Sequence, residues 1–140
     1  MYLNMYEIFE KVNAVKEHDQ KVAEFRKHDS PTLRACLRGI YHPNVEYCIS
    51  RIPEYKPDTV SPLGMSYSNM GYEIKKAYIF ETNNPNRPRM SEEKQMSILA
   101  LILESLEAKE AAVYSNMLLK KPYPGINYDL VKEAFPSLLP

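Results

Sequence analysis

Ile98-Leu99-Ala100-Leu101-Ile102-Leu103 is the only uninterrupted apolar run of its length in the chain, and no Gly or Pro occurs between Pro88 and Pro122. A helix that is apolar on every side for nearly two turns must be enclosed by other parts of the protein. Ser91–Leu106 is therefore expected to be the central helix, with Ser91 as N-cap and Glu92 and Glu93 in the first turn, where the helix dipole favours carboxylates. A single helix through to Lys121 would be long for a compact domain, so a break is expected near Leu106–Ala108. The second piece carries Ala111, Ala112, Val113, Met117 and Leu118 and closes on Lys120-Lys121, cations suited to a helix C-terminus.

Upstream, Met5, Ile8, Phe9, Val12, Val15, Val22 and Phe25 mostly recur at intervals of three or four, interrupted by His18-Asp19-Gln20. This spacing predicts helices over about Asn4–Val15 and Asp19–His28. Ser30-Pro31 supplies an N-cap and a first-turn proline for a third helix to Tyr41, with Leu33, Leu37, Ile40 and Tyr41 inward and Arg34 and Arg38 outward. Asn44–Ile49 reads equally as a short helix or a short strand. Ile52–Gly64 is a proline-rich, extended connection holding Pro53, Pro57 and Pro62. Ser66–Glu81 resumes the helical pattern, capped by Ser66 or Ser68, with Tyr67, Met70, Ile74, Ala77, Tyr78 and Phe80 inward. After the 83–88 loop and the central helix, Pro122-Tyr123-Pro124-Gly125 signals a turn. Asn127 then caps a helix over Tyr128–Phe135, in a closing segment 122–140 apolar enough to pack back on the domain. The expected fold is all-α, one domain over residues 1–140 with six or seven helices around a central apolar helix.

The chain has 140 residues, 18 Lys plus Arg and 18 Asp plus Glu. Zero formal charge leaves little long-range field for steering onto nucleic acid or anionic lipid. No secretory signal and no membrane-length apolar window is expected. Cys36 and Cys48 are too few for a disulfide scaffold and suit a reducing compartment. A protein in solution inside a cell is the expectation. Eleven Tyr with no Trp, and eleven Pro against four Gly, are the unusual biases.

The closing segment Lys120-Lys121-Pro122-Tyr123-Pro124-Gly125-Ile126, with Asp129-Leu130-Val131-Lys132-Glu133-Ala134-Phe135-Pro136-Ser137-Leu138, resembles the C-terminal signature of a small uncharacterised protein family of large T4-like tailed phages. Glu7-Ile8-Phe9, Asp29-Ser30-Pro31-Thr32-Leu33-Arg34, Pro53-Glu54-Tyr55-Lys56-Pro57, Leu103-Glu104-Ser105-Leu106 and Ala108-Lys109-Glu110-Ala111 fit the same pattern. The resemblance thus spans nearly the whole chain. The family's His-Pro before Lys-Glu-Ala is replaced here by Glu107-Ala108. The resemblance implies a phage protein made in the host cytoplasm, with virion association left open, and it transfers no catalytic residue.

Chemistry-bearing constellations are sparse. Cys36, Cys48, His28 and His42 stand at least six positions apart, wider than zinc-ligand pairs favour, so no metal site is expected. Nothing near either cysteine would lower a thiol pKa. Glu7 and Glu10, Glu92 and Glu93, and Glu104 and Glu107 are read as solvated helix faces and dipole partners. Gly39, Gly64, Gly71 and Gly125 are too dispersed for a phosphate loop or dinucleotide fingerprint. No catalytic residue and no cofactor is expected.

The leading expectation is a non-enzymatic phage accessory protein that binds a host or viral protein. Tyr55, Tyr67, Tyr72, Tyr123 and Tyr128 are the candidate contacts, since exposed Tyr is common in contact surfaces; equally, these rings could cover the core. The alternative is a nucleic-acid-binding factor using Lys75, Lys76, Arg87, Arg89, Lys94, Lys120 and Lys121, with Tyr72 and Tyr123 stacking on bases. An enzyme of unfamiliar type would need a concave pocket with convergent polar groups. Homo-oligomerisation is left open.

Overall fold

The computed structural model describes residues 3–56 and 68–140. Seven α-helices follow one another: α1 Met5–Ala14, α2 His18–Lys27, α3 Pro31–Tyr41, α4 Met70–Glu73, α5 Glu92–Ser105, α6 Ala108–Leu118 and α7 Tyr128–Ala134. A 3-10 segment, Ile74–Phe80, continues α4. The all-α bundle read from the sequence is the fold. Among the described residues an isolated antiparallel bridge joins Tyr47 to Glu81. It is fixed by Cys48 N–H to Phe80 O at 2.8 Å and Thr82 N–H to Glu46 O at 2.8 Å, and it resolves Asn44–Ile49 as a turn at Asn44 leading into a non-helical stretch that bridges at Tyr47.

Local chemistry sets most of the boundaries. Ser30 Oγ accepts Leu33 N–H at 3.0 Å with Pro31 opening α3, and Ser91 Oγ accepts Lys94 N–H at 3.2 Å to open α5. Asn127 Oδ1 does the same for Leu130 at the start of α7, at 2.8 Å. The expected break after the apolar run is present. Leu106 and Glu107 take extended backbone (ψ 154° and 147°), and the fully buried Leu106 is drawn inward between the two helices.

The centre lies one helix further along than the apolar run suggests. On α6, Glu110, Ala111, Val113, Tyr114, Ser115, Met117 and Leu118 are buried, which leaves Lys109, Ala112 and Asn116 as one narrow outward stripe. Helices α1, α3 and α5 and the 3-10 segment all pack on α6. On α5, Leu99, Ile102 and Leu103 are buried, whereas Leu101 is 68% exposed. Leu101 follows Lys94 and Ser97 at helical spacing, so it falls on the solvent stripe of its own helix. The hub is α6, and α5 is an outer helix with one apolar residue on its outer face.

The segment after residue 67 also departs from its α-helical reading. Asn69, not Ser68, caps α4, its Oδ1 accepting Tyr72 N–H at 3.0 Å; the alternative cap Ser66, and Tyr67, lie outside the described residues. Side chains three apart eclipse in a 3-10 helix. Ala77 and Phe80 are accordingly buried with Ile74 half-buried above them, while Tyr78 turns outward at 39% exposure.

The closing segment docks as expected. Leu130, Val131, Ala134, Phe135 and Leu139 are buried, and Phe135 packs against Phe25 with the Arg34 guanidinium over its ring at 4.8 Å. Arg26 secures the end of α7 by donating to the carbonyls of Ala134 and Glu133.

Candidate functional site

Tyr72, Tyr78 and Leu101 are the large hydrophobic side chains that stand exposed among the described residues. Two of them, Tyr72 at 59% and Leu101 at 68% exposure, line the same groove. The groove holds about 310 Å³ between α4 with its 3-10 extension and α5, bordered by Ser68, Tyr72, Glu73, Lys76, Ile98, Leu101, Ile102 and Ser105.

Both walls are fixed from beneath. Ser68 N–H donates to Ser105 O at 2.8 Å, tying the start of one wall to the end of the other. The hydroxyl of the fully buried Tyr114, on α6, donates to the Glu73 carbonyl at 3.1 Å. Burial holds the Tyr114 hydroxyl far above its usual range, so it remains a neutral donor.

The groove's polar content is self-satisfied. Glu73 is 2% exposed, and its carboxylate accepts from Lys76 Nζ at 2.8 Å and from Ser68 Oγ at 3.3 Å. The hydrogen bond to Glu73 raises Lys76 above the ordinary lysine value. Lys76 Nζ also lies 4.7 Å from the centre of the Tyr72 ring, a cation–π contact that holds the ring at the groove edge. A buried carboxylate already occupied by an ammonium and a hydroxyl is poorly placed to act as a base. What the surface offers is apolar area on a rigid frame.

The other tyrosines proposed as contacts divide differently. Tyr123 is half-buried, its ring 4.5 Å from that of Phe9 and its N–H donating to the Tyr41 hydroxyl at 3.1 Å. That hydroxyl in turn donates to Ile126 O at 2.6 Å. Tyr128 is half-buried and its hydroxyl donates to Pro140 O. Tyr55 is half-buried against the core, beside a Lys56 N–H to Glu104 Oε2 bond of 3.0 Å. Tyr123, Tyr128 and Tyr55 therefore serve the packing of the closing and connecting segments, leaving Tyr72 as the exposed ring among the described members of the set. Tyr67 lies outside the described residues.

The basic residues are likewise divided. Lys120, with φ at 57°, turns its Nζ back onto Gly39 O at 2.9 Å and His42 O at 2.7 Å, closing the C-terminus of α3. Desolvation lowers its pKa. With Lys76 bound to Glu73, these two ammonium groups are engaged within the protein; Arg87 is half-buried, and Lys75, Arg89, Lys94 and Lys121 are exposed.

Among the described residues, no three His, Cys, Asp or Glu side chains are grouped so as to hold a metal. Cys36 is fully buried and burial pushes its thiol far up; Cys48 Sγ is 3.5 Å from Gln95 Oε1. No described helix is long and apolar enough to cross a membrane. Sequence reasoning missed Leu101, Ile98 and Glu73, although the 94–97–101 spacing already marked Leu101 as outward. No known family model matches the chain, and no curated protein is similar to it.

Proposed function

We propose that this chain is a non-enzymatic accessory protein of a T4-like phage, working in the host cytoplasm by binding a protein partner through the Tyr72–Leu101 groove. The observation that carries the reading is that, among the described residues, the two most exposed large apolar side chains border one groove whose walls are fixed to the hub helix. Covering a leucine of this exposure contributes roughly 1–2 kcal/mol. Tyrosine at the rim of an apolar groove is a frequent anchor of protein contacts.

The test is affinity capture from infected cells with the wild-type chain and a Tyr72→Ala/Leu101→Lys variant matched for thermal stability. Loss of a partner from the variant alone supports the groove; equal capture by both contradicts it. The exposed Lys75, Arg89, Lys94 and Lys121 support nucleic-acid binding as the second reading. Charge reversal at Arg87 and Arg89 should then abolish a low-salt gel shift, and absence of any shift at low salt ends that reading.

A further inference from the structure

Glu110 sits in the first turn of α6 with 2% of its surface exposed. Its Oε1 accepts Tyr6 N–H at 2.9 Å, and the neighbouring Met5 amide also favours the charged carboxylate. These are first-turn donors of α1, which have no acceptor within their own helix. Oε2 is buried too and has no hydrogen-bond partner. One carboxyl from the hub thus fastens the start of the amino-terminal helix while half of it stays unsatisfied.

The surroundings disfavour charge on this group. From α1 it faces Glu7, from the N-cap of its own helix Glu107, from α3 the Cys36 thiol, and from the 122–126 turn Tyr123. These neighbours are acidic or neutral. Glu107 is occupied by Asn4 Nδ2 at 3.1 Å, Glu7 by the Asn4 N–H at 3.0 Å, and Lys109 rests over the outer face of the Tyr6 ring at 5.3 Å. The adjoining α5 packs on α6 with its buried Leu99, Ile102 and Leu103.

We propose that Glu110 is a proton-operated latch: as the neutral acid it holds α1 against α6, and as the carboxylate it releases the amino-terminal helix. Burial raises its pKa to about 7 from the ordinary 4.5, against the opposing pull of the Tyr6 and Met5 amides. When α1 lifts, the group meets water and returns to its ordinary value. The raised value belongs to the closed state, so the latch is fully set below the ordinary value and loosens as pH rises toward 7, levelling off above. Between pH 5 and pH 8 these two values imply a roughly 70-fold increase in α1 opening. The latch does not depend on the partner-binding reading.

The test is hydrogen–deuterium exchange of the whole chain from pH 5 to pH 8, corrected for intrinsic exchange, in wild type and Glu110→Gln. The expected result is a loss of protection of that order confined to α1 in wild type and absent from Glu110→Gln. Flat α1 protection in wild type, an unchanged pH dependence in the variant, or equal loss in α3 and α7 would each overturn the latch. If the variant does not fold, a carbon-13 titration of the Glu110 carboxyl in wild type decides: a midpoint near 7 supports the proposal and one near 4.5 overturns it.

Discussion

Leu101 and Leu103 stand two residues apart on α5 at 68% and 0% exposure, so truncating each to Ala separates the two faces of the apolar run. Removing three buried carbons from Leu103 forfeits about 2.4 kcal/mol at ~0.8 kcal/mol per carbon. A cavity in a packed interior adds to this, bringing the loss to about 3–4 kcal/mol. At Leu101 only about a third of the side chain is covered, so the same truncation costs at most ~0.8 kcal/mol. Alanine's higher helix propensity offsets part of even that. Urea unfolding at fixed pH, with equal m-values, should give a gap of about 3 kcal/mol between the variants. Equal losses would refute the assignment of Leu101 to the solvent face, and with it the groove.

Three further substitutions test particular contacts. Gly39→Ala would place a Cβ 2.7 Å from both Met117 Sδ and the Tyr47 hydroxyl; repacking should cost about 1–3 kcal/mol in the same unfolding assay. Lys120→Met leaves the Gly39 and His42 carbonyls without their ammonium donor and should destabilise by about 1–3 kcal/mol, with calorimetry as the check. Tyr123→Ala, which removes the ring packed on Phe9, should cost about 2–4 kcal/mol, whereas Tyr72→Ala should stay within about 0.5 kcal/mol; parallel melting curves distinguish the two.

Capping chemistry made the helical frame readable. Ser30-Pro31, Ser91 and Asn127 open helices where they stand in sequence, and the break at Leu106–Glu107 followed from length alone. The hub was harder to place. An unbroken apolar run hides the helical period, so Ile98–Leu103 reads as buried all round although Leu101 belongs to the line of Lys94 and Ser97. On α6, by contrast, the buried Glu110 and Ser115 disguise a helix enclosed on most sides. The 3-10 geometry of Ile74–Phe80 also leaves no clear mark in composition, and it reverses the expected orientation of Tyr78. Tyrosine was the least informative residue: Tyr114 lies in the core, Tyr123 closes the turn after α6, and Tyr72 borders the groove. For Tyr114 and Tyr123 the role depends on contacts more than 30 positions away in the chain, with Glu73 and with Tyr41.

A photo-crosslinking residue placed at position 101, with a control at the exposed position 112 on the outward stripe of α6, tests the partner surface most directly. In infected cells the account predicts a protein adduct from position 101 and none from position 112. Adducts of equal yield from both positions, or an intact complex with no adduct at 101, would contradict it.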